Sequence, residues 1–322
     1  MHAGSDPVGD PAAPAKAESG AWLVTWHGDL AAWLDELGWL RSLNEWLTGV
    51  LGPFRERHQD NLALELLHGG RWMGHPLHPA LSDLPIGLWT GAMVLDAVDR
   101  SPPRGGLDAA GVLSAAGLLA ACATALTGLS DWTVSNEQDR RVGLFHGLLN
   151  TAALGLQAAA LGTRMSGHRG TARALGAASL TVTAGAGYLG GHLVFTKGVM
   201  VSRVAWAPGP RRWTRALPEA DVPDDSPAVA DVDHRPVLLY RHDGSLYAID
   251  NICSHAGGLL SRGSIADLTV TCPLHGSRFC LTDGSVTRGP ASQPQPVLRT
   301  RIRNGWIEVR GSGPRRPAHG RT

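Results

Sequence analysis

Four apolar stretches of about twenty residues, the length a helix needs to cross a hydrocarbon core, constrain this chain more than any other feature. They run near Ala80–Val98, Leu107–Ser130, Val142–Thr163 and Ala174–Phe195. Charges gather between them: Asp99, Arg100 and Arg104, then Asp131 to Arg141, then Arg164, Arg169 and Arg173. None of the four carries the polar stripe that a soluble bundle needs on its outer face. Ala and Gly abound, and Gly187 and Gly191 form a small-xxx-small pair that lets backbones approach closely. The expectation is a four-helix transmembrane domain over residues 73–200, with the lipid bilayer around it.

Four spans return both termini to one side. Residues 1–20 are rich in Ala, Gly, Pro and Asp, with no apolar run and no twin arginine, and read as a disordered tail without an export signal. Both termini are therefore expected on the cytoplasmic face of a cell (inner) membrane. In the segment 21–72, Leu30, Trp33, Leu34, Leu37, Leu40, Leu43, Leu47 and Val50 recur at helical spacing. Trp22, Trp26, Trp33, Trp39 and Trp46 suit a helix lying in the bilayer interface. Packing on the protein's own soluble domain is the other reading.

Ionisable residues mark the ends of the spans. His75 and His78 enter the first, Asp131 leaves the second, His146 enters the third and His192 leaves the fourth, so up-down connectivity brings all five to one face. Imidazoles on facing helices can hold haem iron, another metal or a quinone headgroup, with Asp131 orienting one ring. They can equally satisfy backbone groups at helix ends. The run Gly74-His75-Pro76-Leu77-His78-Pro79 with Asp83 and Pro85, Gly128 through Asp131, and Gly190-Gly191-His192 resembles a bacterial four-helix membrane family known as domain of unknown function 2231. That likeness covers about residues 70–200, and its members are commonly fused to the domain described next.

After a linker at 201–212 the periodicity changes to strands. Asp243-Gly244, Asp283-Gly284 and Asn304-Gly305 each sit between apolar alternations, the strongest short hairpin signal. Between the hairpins lie Cys253 and His255, then Cys272 and His275. Two thiolates and two imidazoles can hold zinc, or a [2Fe–2S] cluster with sulfur ligands on one iron and nitrogen ligands on the other. Zinc fingers mostly pair Cys with Cys and His with His, whereas each half here supplies one of each. Together with Gly257, Gly258, Gly276, Ser277, Phe279, Gly284 and Gly289-Pro290-Ala291, this pattern resembles the Rieske iron–sulfur family over residues 213–312. The resemblance implies an all-β domain behind the helical bundle, one cluster held by those four residues, and a bond from Ser277 to a cluster sulfide. Gly258 and Leu274 stand where the respiratory subclass has a disulfide, and Phe279 where it has a tyrosine hydroxyl. Fewer donors to sulfur imply a potential low in the Rieske range of about −150 to +300 mV.

The net charge of +1 gives no reason to expect nucleic acid as a partner. Cys122, alone in an apolar stretch, is expected to be a small buried hydrophobe, and Cys280 a packed or exposed free thiol. A Rieske oxygenase needs a second domain with mononuclear iron, and only a short basic tail, 313–322, is expected after the β domain. The expected function is a membrane-anchored carrier of single electrons between a reductase and a membrane or soluble acceptor, its histidine edge exposed to a redox partner protein. A membrane redox enzyme with haem or quinone in the bundle, and a non-catalytic anchor or sensor, are the alternatives.

Overall fold

The computed structural model describes residues 30, 32–58, 60–99 and 107–312. The expected tails 1–20 and 313–322, and Trp22, Trp26, Arg100 and Arg104, lie outside them. Helix α1 (Gly38–Arg57) is followed by the short α2 (Leu62–His68) and α3 (Gly70–Met73), and then by a bundle of four: α4 (Leu77–Val98), α5 (Ala109–Thr133), α6 (Glu137–Met165) and α7 (Arg169–Gly191). Among the described residues, α4, α5 and α6 are long and apolar enough to cross a membrane. Only 22–28% of their apolar windows is buried, so Leu84, Val94, Leu119 and Leu126 face outward, as lipid contact requires. Cys122, expected to be buried, is instead exposed. The fourth expected span falls short of that apolarity. Its helix opens on Arg169 and Arg173 and carries Ser179, Thr181 and Thr183, and it gives way at His192 to a wider π turn through Thr196.

Small residues and buried polar contacts join the bundle. A Cβ on Gly117 would lie 2.3 Å from Trp89 Nε1, so this glycine is the seat of a buried indole. Gln157 donates to the Ser114 hydroxyl at 3.3 Å, and the Ser179 hydroxyl donates to the Ala153 carbonyl at 2.8 Å. At the end remote from the β domain, Arg164, 4% exposed, pairs with Asp96 and Asp108, and Arg169 with Asp99 and Asp108. This network ties all four helices at one level.

The N-terminal amphipathic segment packs its leucine stripe on the bundle, while its later residues, Arg55 and Asp60 among them, reach the β domain. Leu34 and Leu40 are fully buried against Val142 of α6 and Leu189 of α7, and Arg141 binds Asp35 at 2.8 Å. Trp39, Trp46 and Phe54 stay about half exposed, as does Trp33, whose ring meets Phe145 of α6 edge-on.

Every pairing between named strands of the C-terminal half is antiparallel. Strand β1 (Thr214–Pro218) joins β10 (Trp306–Gly311) and β9 (Leu298–Arg303), and β2 (Ala228–Val232) joins β3 (Arg235–His242) and β4 (Ser245–Asp250). A smaller sheet orders β5 (Ser264–Ala266), β6 (Thr269–Thr271), β7 (Arg278–Cys280) and β8 (Val286–Arg288). His242 pairs with Ser245, and Arg303 with Trp306. Asp243-Gly244 and Asn304-Gly305 are thus two-residue turns, and all four residues have positive φ, the type I′ pattern that Asx-Gly favours. The small sheet closes over a core of Leu260, Val270, Phe279 and Leu281 that also contains Cys253 and Cys272.

Replacing Arg164 by Ala leaves the buried Asp96 with only the longer contact to Arg173 at 3.7 Å. The expected cost is about 3–5 kcal/mol, typical of breaking a buried pair from one side, read as a lower unfolding midpoint of the full chain in detergent.

Candidate metal centre

Two loops of one design form the end of the small sheet. In the first, the Cys253 amide donates to the Gly258 carbonyl at 2.8 Å and the Gly257 amide to the Cys253 carbonyl at 3.0 Å. In the second, Cys272 donates to Ser277 at 2.8 Å and Gly276 to Cys272 at 3.0 Å. The fourth residue after each cysteine is a glycine with φ near +80°, 81° at Gly257 and 76° at Gly276. A side chain is costly there, which is why each loop has glycine at that offset. The loops face one another closely: a Cβ on Gly258 would stand 2.9 Å from Leu274 and 3.0 Å from Cys272 Sγ.

The four donor residues meet two by two. Cys253 and Cys272 are buried and hydrogen-bonded to each other, which pushes the Cys253 thiol up and holds Cys272 down. The rings of His255 and His275 lie 5.0 Å apart and nearly perpendicular. Burial first, then the neighbouring His275, His68 and Arg55, hold His255 down to about 3. Burial and then Arg55 hold His275 to about 4. Both imidazoles are neutral near pH 7, the form that binds a metal. Buried Nδ1 of His275 has no hydrogen-bond partner among the described residues. An orphan of that kind costs about 1–3 kcal/mol unless something binds it, so the donor set fits a metal centre. Ser277 is fully buried, and its hydroxyl oxygen accepts from the Ala291 amide at 3.0 Å, which leaves its hydrogen to donate elsewhere. Phe279 lies in the shared core and offers no polar atom.

Gln295, 1% exposed, fastens the first loop. It donates to the carbonyls of Asp250 at 2.7 Å and Ile252 at 2.5 Å, and accepts from the Ser254 amide at 3.1 Å. The Ser254 hydroxyl reaches the Gln293 carbonyl at 2.8 Å. No sequence pattern marked Gln295, because its partners lie about forty residues away in the chain.

The histidine edge, expected to be exposed, is covered by the protein itself. His255 is only 7% exposed. Arg55 of α1 donates to the His275 carbonyl at 2.8 Å, Arg288 binds Asp60 at 2.7 Å, and Gln293 donates to the Gly74 carbonyl at 2.5 Å. A Cβ on Gly70 would press within 3.1 Å of the Ala291 carbonyl. A cleft between the two parts is lined by Arg55, Glu65, His68, His275, Arg288 and Pro290. His68 and Arg55 were not foreseen as site residues.

The five bundle residues expected together do not all meet. His78 and His146 approach each other, with ring centroids 6.3 Å apart. Asp131 turns instead to His68, binding its Nδ1 at 3.0 Å. His75 is exposed, its ring on the Pro76 carbonyl. His192 is buried at the first residue of the π turn.

A β module with two such loops is of the iron–sulfur carrier class. Residues 212–300 match the family described as Rieske [2Fe-2S] domain, and residues 74–203 the family described as "Predicted membrane protein (DUF2231)". The ferredoxin subunit of 3-phenylpropionate/cinnamic acid dioxygenase from Escherichia coli K12 is 37% identical over 96 residues, 29% of this chain and 89% of that protein. Its counterpart in Photorhabdus laumondii is 35% identical over 80 residues, 24% of this chain and 76% of that protein. Among solved structures, the ferredoxin of carbazole 1,9a-dioxygenase from Nocardioides aromaticivorans is 30% identical, covering 31% of this chain and 98% of that chain with a TM-score of 0.30. The chain belongs to the Rieske [2Fe–2S] family, joined here to a membrane domain of the DUF2231 family. The family's [2Fe–2S] cluster and electron-carrier role come with that membership.

Replacing Gln295 by Ala leaves two carbonyls and one amide without their partner, at about 1–3 kcal/mol for each buried group left unpaired. The expected result is reduced cluster content at unchanged expression, measured as iron and sulfide per chain.

Proposed function

We propose that this chain is a membrane-anchored electron carrier, with Cys253 and Cys272 on one iron of the cluster and His255 and His275 on the other. The observation that carries the reading is the two-by-two meeting of donors on twin loops. Sulfur faces sulfur and imidazole faces imidazole, while no three His, Cys, Asp or Glu side chains converge on one point among the described residues. A single zinc ion needs all four around it; a binuclear cluster needs two at each end. The cluster supplies a one-electron couple, and the residues around it supply its surroundings. Ser277 has a hydrogen directed to no described acceptor, Phe279 and Leu274 keep the sulfur side apolar, and Arg55 sets positive charge beside the imidazoles.

The electron partners are a reductase and a membrane or soluble acceptor. The similar E. coli protein is a ferredoxin subunit of a dioxygenase, which supports protein partners of that kind. The bundle anchors the carrier in a bilayer. Asp60 and Gly74 precede α4 and touch a module that follows α7, so the chain enters and leaves the bundle at one end. That placement supports α7 as a returning fourth crossing despite its polar content. The cytoplasm is the side proposed for both termini. A second reading, a membrane redox enzyme holding haem or a quinone headgroup, is favoured by the meeting of His78 and His146.

Detergent-purified protein is expected to hold about two irons and two sulfides per chain; stoichiometric zinc without sulfide would overturn the assignment. His255→Cys should shift the cluster potential strongly negative, because thiolate brings charge that neutral imidazole does not. For sidedness, a C-terminal alkaline phosphatase fusion should be inactive and a fluorescent protein fusion bright. The reverse pattern would place the module on the opposite face.

A further inference from the structure

Two histidines of the bundle are seated in the same way on two different helices. The ring of His78, on α4, lies over Gly128 of α5, where a Cβ would come within 2.8 Å of its Cε1. The ring of His146, on α6, lies over Gly190 of α7, where a Cβ would come within 3.2 Å of its Cε1. Each ring then reaches the carbonyl four residues before its glycine. His78 Nδ1 bonds the Thr124 carbonyl at 3.0 Å, and His146 Nδ1 bonds the Ala186 carbonyl at 2.7 Å. The missing Cβ is what opens that carbonyl, on the same helix face one turn earlier, to a side chain from the neighbouring helix.

A carbonyl oxygen only accepts, so both rings carry their proton on Nδ1. In the neutral form of each ring Nε2 is then the lone-pair donor. The Asn150 amide confirms this at His146, donating to its Nε2 at 3.1 Å. Fixing one ring nitrogen by a backbone carbonyl while the other offers a lone pair is the usual arrangement of a metal-bound histidine. The separation also suits an ion between them. With metal–nitrogen bonds of about 2.0–2.1 Å and about 1.2 Å from nitrogen to ring centre, two imidazoles in line on one ion stand about 6.4 Å apart. The observed centroid distance is 6.3 Å, with the rings perpendicular.

We propose that His78 and His146 hold one transition-metal ion from opposite sides, at the seam where the α4–α5 pair meets the α6–α7 pair. Two in-line imidazoles suit haem iron, and they equally suit a bare copper ion. His75 and Asp131 lie outside the site, occupied by the Pro76 carbonyl and by His68. Asn150 is the group that must move. It also donates to the His146 carbonyl at 3.0 Å, so releasing Nε2 leaves it one of its two bonds. The proposal rests on the electron-carrier reading only for its purpose, since its ligands are read from the bundle alone.

The test uses the full chain in detergent, expressed with supplied haem precursor and, separately, reconstituted with haemin or with cuprous ion. Bound haem is read by pyridine haemochrome, copper by elemental analysis, and the reduced cluster independently by its paramagnetic resonance signal. The wild type should bind about one haem or one copper per chain, which also decides between the two sources. His78→Ala and His146→Ala should each lower occupancy at least tenfold, and Gly128→Val, which keeps both ligands but fills one seat, should lower it too. His75→Ala should bind as the wild type does. The cluster signal should persist in all four variants and so report an intact fold. A wild type with a full cluster signal and neither haem nor copper would overturn the site, as would undiminished binding in the His78→Ala/His146→Ala double variant. Metal bound in the bundle of a protein without a cluster would support the site and overturn the electron-carrier reading.

Discussion

The hydrogen-bond frames running from Cys253 to Gly258 and from Cys272 to Ser277 fix what the C-terminal half can be. Each frame turns a cysteine inward and throws a histidine to the outer edge, and each needs a glycine at positive φ to close. The elements around them hold two short loops at a set separation. The small sheet carries the second loop between β6 and β7, Gln295 bolts the first to β4, and Phe279 fills the space beneath both cysteines. A cofactor site assembled from loops gains its precision from such supports, since loops alone are the mobile part of a fold.

The helical half meets the opposite demand. It needs surfaces with few polar atoms outside and specific contacts inside, so its fit comes from size complementarity, as with Trp89 over Gly117, and from buried polar pairs such as Gln157 with Ser114. Lipid gives helices no hydrophobic reason to associate, and the ionic network of Asp96, Asp99, Asp108, Arg164 and Arg169 makes good part of that deficit at one end. At the other end the bundle is capped by its own redox module.

What the sequence revealed followed the range of the interactions involved. The Asx-Gly hairpins at 243–244 and 304–305 and the paired Cys/His loops are local, and they could be placed residue by residue. The turns at Asp233-His234 and Asp267-Leu268 adopt positive φ without a glycine, so β2, β5 and β6 gave no comparable signal. Arg55 meets His275 across 220 residues of chain, a contact that no spacing encodes. Asp131 was recognised as placed to orient an imidazole, but its partner His68 was not foreseen, because helix-end topology sets the level of a residue and not the direction of its side chain. The amphipathic segment was legible as a helix, yet its burying partner was not, since a leucine stripe fits a bundle as well as a bilayer surface.

The seat beneath the cluster edge places positive groups next to the proposed ligands: Arg55 acts on both histidines, Arg140 on His275, and Arg203 on His255. A cluster gains one unit of negative charge when it takes an electron, so its attraction to that seat differs between its two oxidation states. Thermodynamic reciprocity then binds the two quantities together. Whatever factor the electron adds to the hold of module on seat, the seat adds to the cluster's affinity for the electron. Reduction potential and interdomain affinity are in this molecule two readings of a single coupling free energy, and a change at Arg55 must move both.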